Sequence, residues 1–149
     1  MSLRARAWHR SHTFAHADFP APRLAAERQS TVSVCLPARN EAATIGPILE
    51  VLVGLRTQGV IDQIVVVDHS SDRTAQIAHD LGAEVHDQEQ LRPELGPVLG
   101  KGDAMWRALE VLTGDVICFL DADTEAFGPH FACGLLGPLL CSDEISLVK

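Results

Sequence analysis

Apolar positions along the chain switch repeatedly between a period of two and a period of three to four. Thr31-Val32-Ser33-Val34-Cys35-Leu36 predicts a strand over 31–36, ended by Pro37. Ile45, Ile48, Leu49 and Leu52 then recur at helical spacing, predicting a helix over 41–53 with Gly54 near its end. A β-branched run predicts a second strand over 61–67, and Ser71-Asp72 opens a helix that Gly82 stops. A short strand over 83–86 precedes a Gly- and Pro-marked loop over 87–100. A helix over 101–112 follows, broken by Gly114. Asp115-Val116-Ile117-Cys118-Phe119-Leu120 carries five apolar residues in a row, which predicts a fourth strand buried on both faces. A helix over 129–140 and an opening strand over 145–148 complete the pattern. Strands alternating with helices predict parallel βαβ units, and right-handed crossovers put helices on both faces of the sheet.

Residues 1–30 fall outside this rhythm and predict a leader with one short helix, about 22–28, because Pro suits a first helical position. The organised part is then 31–149. Since a strand opens at the last residues, the chain reads as the N-terminal portion of a longer protein.

Composition narrows the classes. The formal net charge is −8, with a mildly basic start and an acidic body, which argues against nonspecific nucleic-acid binding. No apolar stretch is long enough to span a bilayer, and no apolar segment follows Arg4, Arg6 and Arg10 to make a secretory signal. Cys35, Cys118, Cys133 and Cys141 form no CxxC pair and read as small buried hydrophobes, which suits a reducing, cytoplasmic setting. His9, His12 and His16 read as part of a flexible polar leader.

Candidate chemistry collects at the carboxyl ends of the strands, where open α/β sheets place ligands. The fourth strand runs into Asp121-Ala122-Asp123, two carboxylates one residue apart and a hard-oxygen site for Mg²⁺ or Mn²⁺ holding a diphosphate. After the first strand come Pro37-Ala38-Arg39-Asn40-Glu41, where Asn40 and Glu41 serve either as cap and first-turn acid or as grips on a polar ligand. After the second come Asp68-His69-Ser70-Ser71-Asp72, polar groups at a strand-to-helix turn, with Ser71 or Asp72 capping and Asp68 a solvated acid in the plainer reading. Lys101 opens a helix where the dipole is positive, a cost that an anionic ligand would offset. There is no P-loop and no GxGxxG after the first strand, so neither ATPase nor dinucleotide chemistry has support.

These residues together resemble the nucleotide-sugar-binding half of a GT-A glycosyltransferase, and in particular the glucosyl-3-phosphoglycerate synthases of actinobacteria. The resemblance rests on Val32 through Glu41, on Gly100-Lys101-Gly102-Asp103-Ala104-Met105-Trp106-Arg107, on Gly114 through Asp123, on Gly137-Pro138-Leu139-Leu140 and on Ala17-Asp18-Phe19-Pro20. It implies a GT-A, Rossmann-like α/β fold with a mostly parallel sheet flanked by helices, present here as its N-terminal part. It implies that Pro37, Ala38, Asn40, Glu41, Ser70, Lys101, Asp121 and Ala122 bind the donor and that Asp123 ligates Mg²⁺ or Mn²⁺. The implied reaction moves glucose, with retention, from an NDP-glucose (UDP-glucose in most of the family) to 3-phosphoglycerate. The implied partners are small molecules, and a homodimer of the full-length protein stays open. The turn after the second strand is one residue shorter than the family's Asp-Ser-Gly-Ser-Thr-Asp type run. The family's metal-binding histidine and acceptor residues lie beyond Lys149. Two alternatives remain: a fragment that binds nucleotide without turnover, and a haloacid-dehalogenase-type phosphatase in which Asp121 is the nucleophile and Asp123 the acid/base.

Overall fold

The structure, a computed structural model, describes residues 2–149. Four strands form one fully parallel sheet in the order β3-β2-β1-β4: β1 Val32–Ala38, β2 Gln63–Asp68, β3 Glu84–Asp87 and β4 Val116–Phe119. The helices are α1 Leu3–Ser11, α2 Ala21–Glu27, α3 Ile45–Thr57, α4 Thr74–Asp80, α5 Lys101–Ala108 and α6 Pro129–Leu140, with 3₁₀ turns at His16–Asp18 and Pro93–Leu95.

Alternation along β1 and β2 divides the core between the two faces. Val34, Leu36, Ile64 and Val66 pack against Ile45, Ile48, Leu49 and Leu52 of α3 and Ala132 and Leu136 of α6. Cys35, Val65 and Val67 point the other way, to Ala104 and Ala108 of α5. The helices therefore sit on both faces, as the βαβ pattern predicts. Burial pushes the thiols of Cys35 and Cys118 up to about 12, so both behave as apolar groups.

Several expectations are corrected. β4 is an edge strand rather than one buried on both faces: Val116, Ile117 and Phe119 are only half-buried, because its outer side pairs with no strand among the described residues. Residues 145–148 form no strand, since β-propensity without a ladder partner does not make one. Helix α3 starts at Ile45, four residues later than predicted, because Asn40 takes a left-handed conformation (φ 61°) and 41–44 form a turn. The first thirty residues hold two helices and a 3₁₀ turn instead of one helix. Part of this segment belongs to the core: Leu24 is fully buried and Phe19 is 6% exposed, seated where Gly137 of α6 has no side chain.

Candidate functional site

The chain runs β1, β2, β3 outward on one side and then returns to place β4 on the other side of β1. That reversal leaves a crevice beyond the carboxyl ends of β1 and β4. A cavity of about 570 Å³ lies there. Pro37, Ala38, Glu41, Lys101, Asp121, Ala122 and Asp123 all line it.

Each wall is held by specific bonds. Leu120 N–H donates to Cys35 O at 3.0 Å, carrying the β1–β4 pairing up to the acidic turn. The Thr44 hydroxyl donates to Ala122 O at 2.8 Å, tying that turn to the entry of α3. Ala122 is buried, while Asp121 and Asp123 on either side are exposed. Lys101, the first residue of α5, forms an ion pair with Asp121. The site thus presents one carboxylate already partnered by a cation and one, Asp123, with no ion pair or side-chain hydrogen bond among the described residues.

Asn40 and Ser70 do not line the cavity; they are engaged with each other's loops. Asn40 N–H donates to Ser70 Oγ at 2.7 Å, and Ser71 N–H donates to Asn40 Oδ1 at 2.9 Å. Glu41 N–H donates to Thr74 Oγ1 at 2.9 Å and Ala42 N–H to Asp72 Oδ2 at 3.3 Å. These bonds hold the β1 and β2 loops as one rim, and they place Asn40 behind the wall instead of at a helix cap. Asp72 accepts from the Thr74 hydroxyl and N–H, and these bonds hold its carboxyl below the usual range. Asp68 is not a solvated acid. It is 8% exposed and accepts from Ser70 Oγ at 2.6 Å and Ser70 N at 3.1 Å.

Arg39, His69, Gln88, Val98, Leu99, Gly100 and Ala104 also line the cavity and escaped the reading of the chain. Arg39, His69 and Gln88 share one signal: each is the residue immediately after a strand. The Val98–Gly100 wall is anchored by Arg107, which is wholly buried. Its guanidinium donates to Leu91 O at 2.7 Å, Gly96 O at 2.7 Å and Asp103 Oδ2 at 2.8 Å. Burial pushes the Asp103 carboxyl up, but Arg107, Leu99 N–H and Gln88 together outweigh it and hold it below the ordinary range.

The donor chemistry suits a hard divalent cation. Asp121 and Asp123 offer carboxylate oxygens only, and no cluster of three or more ligating side chains occurs among the described residues. An ion held by one or two carboxylates keeps coordination positions for phosphate oxygens and water, as Mg²⁺ does in nucleotide sites. Among the described residues no helix is long and apolar enough to cross a membrane.

A parallel sheet flanked by helices, with its crevice at the β1/β4 reversal rimmed by paired acids and a helix-opening lysine, has the architecture of the N-terminal half of a GT-A fold. Residues 33–131 match Glycosyl transferase family 2, and the chain belongs to that family. It is 40% identical over 144 residues to glucosyl-3-phosphoglycerate synthase of Mycolicibacterium smegmatis, covering 95% of this chain and 47% of that protein. It is 35% identical over 130 residues to the Petrotoga mobilis protein of the same name, covering 85% of this chain and 40% of that one. Among solved structures, mannosyl-3-phosphoglycerate synthase from Rubrobacter xylanophilus superposes with a TM-score of 0.88 at 43% identity, over 93% of this chain and 46% of that one. The Mycobacterium tuberculosis glucosyl-3-phosphoglycerate synthase in complex with Mn²⁺, UDP and glucosyl-3-phosphoglycerate gives 0.83 at 38% identity, over 92% and 50%. The chain spans about half the length of the relatives it matches. Family membership sets aside the phosphatase alternative for Asp121 and Asp123.

Proposed function

We propose that this chain is the donor-binding half of a metal-dependent, retaining glycosyltransferase that moves glucose from UDP-glucose to 3-phosphoglycerate. The observation that carries this reading is the convergence of Lys101, Asp121 and Asp123 on one cavity at the sheet's reversal point. The Mn²⁺, UDP and glucosyl-3-phosphoglycerate bound by the M. tuberculosis relative support the same assignment.

In this reading Asp123 is the metal ligand, being the carboxylate free of a cation partner. Lys101 contributes positive charge toward the diphosphate, and its pairing with Asp121 keeps the ammonium at the cavity wall. Pro37, Ala38 and Glu41 form the floor on which the nucleoside lies, and Asn40 and Ser70 act by holding that floor. A bound Mg²⁺ or Mn²⁺ supplies charge neutralisation for the departing diphosphate. The likeness to the R. xylanophilus enzyme favours a second reading in which the transferred sugar is mannose.

Calorimetry of UDP binding with Mn²⁺ tests the site. Wild-type chain should bind UDP in a metal-dependent manner, and Asp123→Ala should abolish that dependence. Equal affinity of both proteins in Mn²⁺ would reject the role of Asp123. Competition by UDP-glucose against GDP-mannose separates the two sugar readings.

A further inference from the structure

Two of the ionic groups at the cavity already satisfy each other. Lys101, from the first turn of α5, pairs with Asp121, from the turn after β4. Neither side chain has another hydrogen bond or ion pair among the described residues. Both are more than half exposed, at 55% and 57%, so the pair contributes little to stability and opens easily.

The walls that carry the pair are held by other bonds. Gln88 Nε2 donates to Gly100 O at 3.3 Å and to Asp103 Oδ2 at 3.0 Å, and Leu99 N–H donates to Asp103 Oδ2 at 3.3 Å. On the other side the Thr44 hydroxyl holds Ala122 O, and Cys35 O holds Leu120 N–H. Opening the pair therefore moves two side chains and leaves the frame of the cavity in place.

Charge decides what opens it. Among the cavity residues Arg39 and Lys101 stand against Glu41, Asp121 and Asp123, an excess of one negative charge. A divalent cation alone reverses that balance, and it meets the Lys101 ammonium beside the acidic turn. A diphosphate alone makes the balance far more negative, and it meets a lysine that is already engaged. With both present the charges offset: Lys101 turns to the diphosphate, and the Asp121 carboxylate is released toward the cation and its water.

We propose that the Lys101–Asp121 pair is a latch that makes a nucleoside diphosphate and a divalent cation bind cooperatively. Each ligand alone works against the pair, and the first to bind frees a group for the second. This rests on the nucleotide-sugar reading above and adds to it a coupling built into two side chains. The coupling is reciprocal: UDP raises Mn²⁺ affinity by the factor by which Mn²⁺ raises UDP affinity. Direct contact between ion and diphosphate couples them as well, and the share of the latch is the part that depends on Lys101.

Electron paramagnetic resonance of free Mn²⁺ and calorimetry of UDP test this on the wild-type chain, Lys101→Met, Asp121→Asn and the double variant. Lys101→Met should bind Mn²⁺ alone about fivefold more tightly than wild type, because an ammonium near a divalent ion costs roughly that factor in salt. The enhancement of Mn²⁺ binding by UDP should shrink by the same factor. Without metal, Asp121→Asn should tighten UDP binding about fivefold when Lys101 is present, and by less than about twofold beside Lys101→Met, where only screened charge remains. Unchanged Mn²⁺ affinity in Lys101→Met, or an equal effect of Asp121→Asn in both backgrounds, overturns the latch. If either result comes with Asp123→Ala still abolishing metal-dependent UDP binding, the latch fails and the donor site stands. If wild-type chain takes up no UDP with Mn²⁺, both fail.

Discussion

Gly137→Ala should destabilise the protein by up to about 2 kcal/mol, although the same change in an ordinary helix stabilises. Gly137 is buried in α6 and faces Phe19, so a Cβ there would overlap the ring's Cγ and sit 2.5 Å from Phe19 Cβ and Cδ1. These atoms form the root of the side chain and cannot swing away. Either the helix shifts, at about 1–3 kcal/mol for overpacking, or Phe19 leaves its site and loses about 2–3 kcal/mol of burial. Against this stands the helix-propensity gain of alanine over glycine, about 1 kcal/mol. The net loss corresponds to a fall in Tm of up to roughly 8 °C for a chain of this size. Replacing Phe19 by Gly removes the whole obstacle, Cβ included, at its own cost of about 3–5 kcal/mol or more. In that background Gly137→Ala should stabilise, by up to about 1 kcal/mol. Urea denaturation followed by circular dichroism, on wild type, both single variants and the double variant, reads all four values. The reasoning is refuted if Gly137→Ala has the same sign in both backgrounds. A neutral Phe19→Gly would show that residues before β1 are no part of the core.

Two further outcomes follow from the polar framework. Arg28 first, then Val32 N–H, hold the Asp62 carboxyl below its ordinary range despite partial burial. A carboxyl with a depressed folded value stabilises above its unfolded pKa and loses that contribution as pH falls through the folded value. The stability gap between wild type and Asp62→Asn should therefore be full above about pH 5 and shrink as pH falls below the ordinary carboxylate range, as urea midpoints at a series of pH values would show; a pH-independent gap contradicts the assignment. Asn40→Val should cost about 2–3 kcal/mol, from a β-branched residue at φ 61° and the lost bond from Ser71, and should weaken UDP binding. Asn40→Gly should cost less than about 1 kcal/mol beyond the lost bond because glycine accepts the backbone, and equal losses for both would refute the strain argument.

Local pattern determined much of this protein. The buried runs of β1 and β2, the helical spacing of Ile45, Ile48, Leu49 and Leu52, and the bounds of α6 are periodicities that neighbouring residues impose on one another. The acidic turn and Lys101 were legible too, because charge at a strand's end or a helix's start is anomalous without a partner. Tertiary structure alone decided which strands lie at the edges, since burial of β4 depends on what packs beside it and not on its own apolar run. It likewise decided that Asn40 and Ser70 brace the rim while His69 and Gln88 face the cavity. Side-chain direction at a loop depends on the backbone turn and on hydrogen-bond partners some thirty residues away, as with Asn40 and Ser71. Phe19 and Leu24 joined the core for the same reason: their burial comes from α6, more than a hundred residues later, and no local spacing in the first thirty residues records it.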